Sequence, residues 1–281
     1  MAMTDALRGY VTALRDLPSG VAGEFADVRS TPAATSPMQA AIETMHPRGQ
    51  LAVDLIIDAR DRAVAGVEAC GEHVLATARL LEKPERFYSG QVVARAGVEA
   101  AGLVRWLLDP NASPEEVIAR HLGRARDEQD RGIKFLTSAS VSDPVDQEEL
   151  ATISQHIVEM KDRTVAAIEE IGIKPVRLGS TELAKYGGDP EEYDIFSGSM
   201  HGRLAPFLET QKMAADDVGS AILFMNLISV TARAYVTAID VARTFVTGQH
   251  LSDARLAEVA EALGLNEDAL TPPDMPSSRL D

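Results

Sequence analysis

The sequence predicts an all-α protein, a bundle of about six or seven main helices. Long stretches without internal proline carry apolar residues at three- and four-residue spacing, helix starts recur with one chemistry, and aromatics are only 5% of a chain rich in Ala and Leu. Small residues suit helices that pack closely, and the scarcity of aromatics argues against a sheet sandwich. At 281 residues the chain can bury a sizeable core without a disulfide or metal staple.

The elements follow in order. A first amphipathic helix covers about Asp5 to Leu17. Between Ser19 and Gly49, directly after Pro18 and with Pro32, Pro37 and Pro47 among Ser, Thr and Ala residues, a mostly irregular connection is expected. Leu51 to Glu82, Ser89 to Asp109, Pro114 to about Thr137, Pro144 to Ile171 and Gln211 to Thr247 are the long periodic stretches, followed by a short helix from Ser252 to Leu263. Three starts share one chemistry: Ser113-Pro114…Glu116, Asp143-Pro144…Asp146 and Asp189-Pro190…Glu192. The Ser or Asp accepts from orphan amides, Pro sits where its missing N–H costs nothing, and the acid closes the box. Gly172, Gly248 and Gly264 suit the left-handed conformation that closes a helix. Lys174 to Leu178 is too short to argue for a strand and reads as a connection. In the stretch 144–171, Leu150, Ile153, Ile157, Met160, Thr164, Ile168 and Ile171 form the stripe expected to be buried. Glu149, His156, Glu159 and Arg163 then lie on a polar face, which a solvated surface explains better than a metal site.

These elements divide the chain into residues 1–50, a helix and irregular connection loosely attached to the rest, residues 51–264, the bundle, and residues 265–281, a polar Pro-rich tail. A homodimer is expected from the stretch 211–247, whose apolar residues spread round its circumference; a helix buried centrally in one copy explains the same pattern.

With 27 Lys+Arg against 43 Asp+Glu the formal net charge is −16, which disfavours nucleic acid or anionic lipid, since both are held mainly through their phosphates. Cys70 is the only cysteine, so no intrachain disulfide can form, and we expect a reducing, cytoplasmic setting. No export signal is expected from the mixed-charge N-terminal stretch, and the apolar run Val218 to Ala232, interrupted by Ser220, Asn226 and Ser229, reads as a buried helix. No Walker loop or paired Cys-x-x-Cys occurs, and Phe196-Ser197-Gly198-Ser199-Met200 lacks the first Gly of a nucleophile elbow. No cofactor and no metal site is expected.

Two places carry candidate chemistry. Arg95, Glu99, Gly102 and Trp106, at i, i+4, i+7 and i+11, share one face of a helix that is otherwise apolar nearly all round. An acid there must find a partner or take up a proton. An Arg95–Glu99 pair on a half-exposed stripe is one reading; a buried acid with a network role is the other, with Gly102 leaving room for a close helix or a ligand. The second place is Tyr193 to Gly202, where glycines and serines break the apolar rhythm and present His201 at a break between elements. His201 is then either a surface or cap histidine or a group that, with Ser197 or Tyr193, faces Glu99. His121, between Arg120 and Arg124, reads as exposed surface.

The run around Arg95, Glu99 and Trp106-Leu107-Leu108-Asp109-Pro110 resembles the first signature of a group of uncharacterised helical actinobacterial proteins. Tyr193, Ser197 and His201-Gly202 resemble the group's second signature. The resemblance implies that the two places form one site, and it names no activity. Such proteins are in turn distantly similar to HEPN domains, helical bundles that include metal-independent ribonucleases with an Arg separated from a His by four to six residues. Arg243 and His250 have that spacing, whereas Asp194, Ile195 and Phe196 stand where His201 would need its Arg.

The function expected is therefore a bundle that binds a small ligand or a protein partner through a polar pocket of Arg95, Glu99, Trp106, Tyr193, Ser197 and His201. Glu99 would accept from an amine or from His201, Trp106 would form a wall and Ser197 would orient the ligand. The alternatives are an enzyme with His201 as general acid or base beside Glu99, acting on RNA or on a small molecule, and two purely structural clusters.

Overall fold

The computed structural model describes residues 5–83, 86–138, 144–188 and 217–270. The chain's helix-forming periodicity gives ten α-helices among these residues and no strand: α1 (Asp5–Gly20), α2 (Ala22–Val28), α3 (Pro37–Met45), α4 (Gln50–Leu81), α5 (Phe87–Leu107), α6 (Pro114–Ser138), α7 (Pro144–Ile171), α8 (Ser180–Gly187), α9 (Asp217–Thr247) and α10 (Asp253–Ala262). The fold is all-α, as the sequence predicts. Single 3-10 turns add His46–Arg48 and Glu267–Leu270.

The punctuation sits where its chemistry places it. Ser113 and Glu116 form the capping box, Ser113 N donating to Glu116 Oε2 at 2.7 Å and Glu116 N to Ser113 Oγ at 3.2 Å. Gly172, Gly248 and Gly264 close helices at φ of 71, 75 and 65°. The starts at Asp143 and Asp189 lie outside the described residues.

The described chain forms two compact units. The first comprises Met1–Gln39, Asp61–Pro110 and Gly179–Asp281. Its centre is built where glycines let helices close: Gly66 against Val104 and Gly97 against His73 and Cys70 join α4 to α5, while Gly71 against Tyr235 and Gly90 against Leu227 bring in α9. Phe87 stacks on Phe224 with ring centroids 5.0 Å apart. The apolar residues of α9 are mainly used inside this unit: Phe224, Leu227, Ile228 and Val230 are buried, Leu223 and Met225 half-buried, and Ile222 remains 46% exposed. From Val218 to Thr247 this helix is long and apolar enough to cross a membrane, but two thirds of its most apolar window is buried, as a core helix requires.

The N-terminal segment corrects the sequence reading. Residues 19–49, expected to be mostly irregular, contain α2 and α3, and the first helix runs through Pro18 to Gly20. Nor is α1 loosely attached: Leu7, Val11, Leu14 and Leu17 are buried where it packs on α9 and α10. At the other end Leu270, expected in the polar tail, is buried, and its turn packs on α9 and α10; residues 271–281 lie outside the described residues.

The second unit comprises Ala40–Arg60 and Asn111–Leu178. Its main feature is an antiparallel hairpin of α6 and α7, whose register is fixed by Gln129 Nε2 donating to Thr164 Oγ1 (2.8 Å), by the Lys161–Asp130 ion pair (2.7 Å) and by Gly132 against Ile157. The connection Gly172 to Leu178 then crosses α6, Val176 N donating to Ala119 O (2.9 Å) and its carbonyl lying against Gly123. Arg120 and His121, read from the sequence as exposed, are buried in the middle of α6. The stripe on α7 departs in the other direction. Of its described side chains only Ala167 is buried, Ile153 and Met160 are 42% and 43% exposed, and the other stripe residues are half-buried. Among the described elements α6 is its principal packing partner, and Gly132 offers no side chain to cover it.

Candidate functional site

The long apolar helix α5 positions the polar pair that the sequence singles out. Arg95 Nε donates to Glu99 Oε1 at 3.0 Å, with the two side chains 11% and 27% exposed. The spacing of four residues brings them together on one face of a helix in which Gln91, Ala94, Gly97 and Val98 are also buried. Of the two readings left open, the pair is formed, and it is largely shielded from solvent.

Close beside it α8 crosses α5 at backbone contact. A Cβ on Gly102 would strike the Leu183 carbonyl, and one on Gly187 would strike the Val98 carbonyl. Gly102 therefore makes room for a close helix, one of its two expected roles. At this crossing Arg105, 3% exposed, donates through Nη1 to the Tyr186 carbonyl at 2.5 Å. Burial pushes the Arg105 guanidinium below its ordinary pKa, and neighbouring Asp109 offsets part of that shift. Sequence reasoning missed Arg105; its signal was an Arg with Asp109 four residues on, inside the run Leu103 to Leu108 that is otherwise apolar.

Trp106 is only 1% exposed. It shares the face of Arg95 and Glu99 but belongs to the core, so the open wall expected of it is corrected: so little exposed area cannot stack on a ligand without displacing neighbours. The described chain passes Gly188, which touches Val98, and the next residues lie outside the description. Tyr193, Ser197 and His201 are among these, so Arg95 and Glu99 are the site residues that the structure brings together.

Arg243 and His250 meet at the end of α9. Arg243 Nη1 donates to the His250 carbonyl at 2.8 Å and its Nε pairs with Asp27 at 2.9 Å, while Asp240 Oδ2 lies 2.9 Å from His250 Nδ1. The imidazole is 72% exposed, leaving its Nε2 edge toward solvent. Asp240 also accepts from Leu251 N at 2.6 Å, so the same carboxylate holds both the turn and the ring.

A cleft of about 210 Å³ lies between α1 and α10, floored by Leu17, Val21, Val259 and Leu263. Its cation, Arg255, is held by Glu24 and Glu258, each at 2.6 Å. Both acids raise the Arg255 pKa, Glu258 first, and Asp16 also lines the cleft. On α7, His156 and Glu159 are exposed, and Gln155 Nε2 donates to Glu159 Oε1 at 3.0 Å. Among the described residues no group of three or more His, Cys, Asp or Glu is placed to hold a metal.

Comparison of the chain with protein-family models, with curated proteins and with solved structures finds no match.

Proposed function

We propose that the protein is a non-catalytic binding bundle, cytoplasmic, that takes a small polar ligand at the Arg95–Glu99 pair of its first unit. The observation that carries this reading is the shielding of that pair within an apolar helix. Removing a guanidinium and a carboxylate from water costs several kcal/mol per ion, which their mutual attraction offsets only in part, and two apolar side chains would serve packing as well. An ion pair so largely shielded is instead suited to recognition. The pair sets a carboxylate, an acceptor for an amine or hydroxyl, beside a guanidinium, a donor for a carboxylate on the same ligand. A zwitterion such as a free amino acid or small amino alcohol acid meets both groups. The resemblance, read from the sequence, of Arg95, Glu99 and Trp106-Leu107-Leu108-Asp109-Pro110 to a helical actinobacterial group points to the same location.

The test uses Trp106, the only tryptophan, which lies seven residues and about 10 Å along α5 from Glu99. Titration with a panel of amino acids and related zwitterions should change its fluorescence saturably, and Glu99→Gln or Arg95→Gln should weaken binding by about tenfold or more, the loss expected for one charged hydrogen bond. Equal affinity in both variants would remove the pair from the site.

The ring of His250, held by Asp240 with its far edge exposed beside Arg243, favours a second reading: a metal-independent ribonuclease of the distantly HEPN-like kind, with His250, or His201, as general acid or base. RNA cleavage in EDTA, lost in His250→Ala or His201→Ala, would put this reading first.

A further inference from the structure

The second unit ends in a helix with an uncovered apolar side. Helix α7 has a heptad seam, Leu150, Ile153, Ile157, Met160, Thr164, Ala167 and Ile171, turned toward α6, yet Ala167 alone among its described side chains is buried. A long amphipathic helix draws most of its stability from packing that face, so α7 is under-packed in one copy. The larger exposures fall on one flank, with Val158, 38% exposed, on the side of Lys161. Residues across the hairpin from each other have numbers summing to about 291, as Asp130 with Lys161 and Gln129 with Thr164 show, which sets Phe135 across from His156. Phe135 is 70% exposed, and Ile153 and Met160, 42% and 43% exposed, stand one turn to either side of His156.

We propose that this flank is a self-association surface on which a second copy of the chain packs, α7 antiparallel to α7, closing a four-helix bundle from two hairpins. The charges on α7 select this partner and this register. A two-fold axis beside His156 sets Ile153 against Met160 of the second copy, and it sets Glu149 against Arg163, both of which are exposed. An axis at Met160 would instead bring Glu149 to Glu170, a like-charge contact. Lys161 points to the opposite flank, where Asp130 holds it at 2.7 Å, so it takes no part in the interface. Within the chosen register each ionic pair is satisfied twice by symmetry, each apolar pair likewise, and Phe135 of each copy closes the edge of the seam. The surface is thus complementary to itself, the pattern that an isologous dimer requires.

The experiment is sedimentation equilibrium on the full chain, with far-UV circular dichroism to check that each variant is helical. The wild type should be a dimer at micromolar concentration. Glu149→Arg should weaken association by about tenfold or more, as should Arg163→Glu, while the double variant carrying both changes should return to within about threefold of wild type, because the exchanged charges again face each other across the axis. Phe135→Asp should give a helical monomer. A wild type that stays monomeric to about 100 μM, or a dimer that none of these changes weakens, would overturn the proposal, as would a double variant no better than its parents. Because these residues belong to the second unit, the outcome is separate from that of the Trp106 titration.

Discussion

Glycine decides more about this molecule than any other residue, and it does so with opposite signs at different places. At Gly9, in the first helix, a Cβ would meet nothing within 4 Å, so Gly9→Ala removes backbone entropy from the unfolded chain and should stabilise the protein by about 0.5–1 kcal/mol. At Gly102 the same change drives a methyl group into the Leu183 carbonyl, and backbone cannot yield as a side-chain tip can. Gly102→Ala should therefore destabilise by about 2 kcal/mol or more, in line with overpacked cores. Thermal melts of the two variants check both signs, and a neutral Gly102→Ala would show that α8 does not lie against α5. A second residue-scale prediction concerns His73, which packs on Gly97. Burial holds its pKa below 6.5, with Glu72 opposing the shift. For a histidine with a depressed folded pKa, the unfolded chain binds the proton more readily, so stability is full above 6.5 and falls as pH drops through the window between 6.5 and the folded value. Urea midpoints measured from pH 7.5 to 5 should fall, and His73→Gln should make that fall shallower; an unaltered slope would show that other groups carry it.

Local chemistry made most of the elements legible in the sequence, and long-range packing hid the rest. The capping box at Ser113 and the closing glycines at 172, 248 and 264 act over one turn, so residue order alone reveals them. The start of α3 uses the same device, Gln39 N donating to Ser36 Oγ at 3.1 Å with Pro37 at the first position. There the prolines were read as breakers, although Ser36-Pro37 is the same signal as Ser113-Pro114. The Arg95–Glu99 pair was legible because four residues along a helix is a fixed distance. The crossing by α8 was not, since eight residues of helix are placed by contact between Gly102 and Gly187, which stand far apart in the chain. Arg120 and His121 misled for a related reason: both are buried, and the charges around them in sequence announce only a solvated face. For α7 the stripe expected to be buried is half-buried or exposed, with Ala167 in the core instead, because an apolar stripe states a need for cover without saying whether the same copy supplies it.

At the scale of the whole chain, the two units differ in how much of themselves they bury, and the sequence happens to report on them separately. The only tryptophan, the only cysteine and all five tyrosines lie in the segments Met1–Gln39, Asp61–Pro110 and Gly179–Asp281 of the first unit. Cys70 is buried, and desolvation pushes its thiol up to about 12, so reagents that need the thiolate reach it only when that unit opens. The second unit contributes helix, and hence far-UV signal, from α6 and α7, with α7 thinly packed. Thin packing means low resistance to local opening. In urea the ellipticity should therefore begin to fall before Trp106 emission shifts or Cys70 becomes open to alkylation, and coincidence of the three transitions would show that the units unfold as one. Protein concentration then separates the causes. If two copies cover each other's α7, the early ellipticity change moves to higher urea as concentration rises, because association stabilises only the folded hairpin, and its shift should exceed that of the Cys70 transition. In Glu149→Arg that dependence should flatten, and in the charge-exchanged double variant it should return.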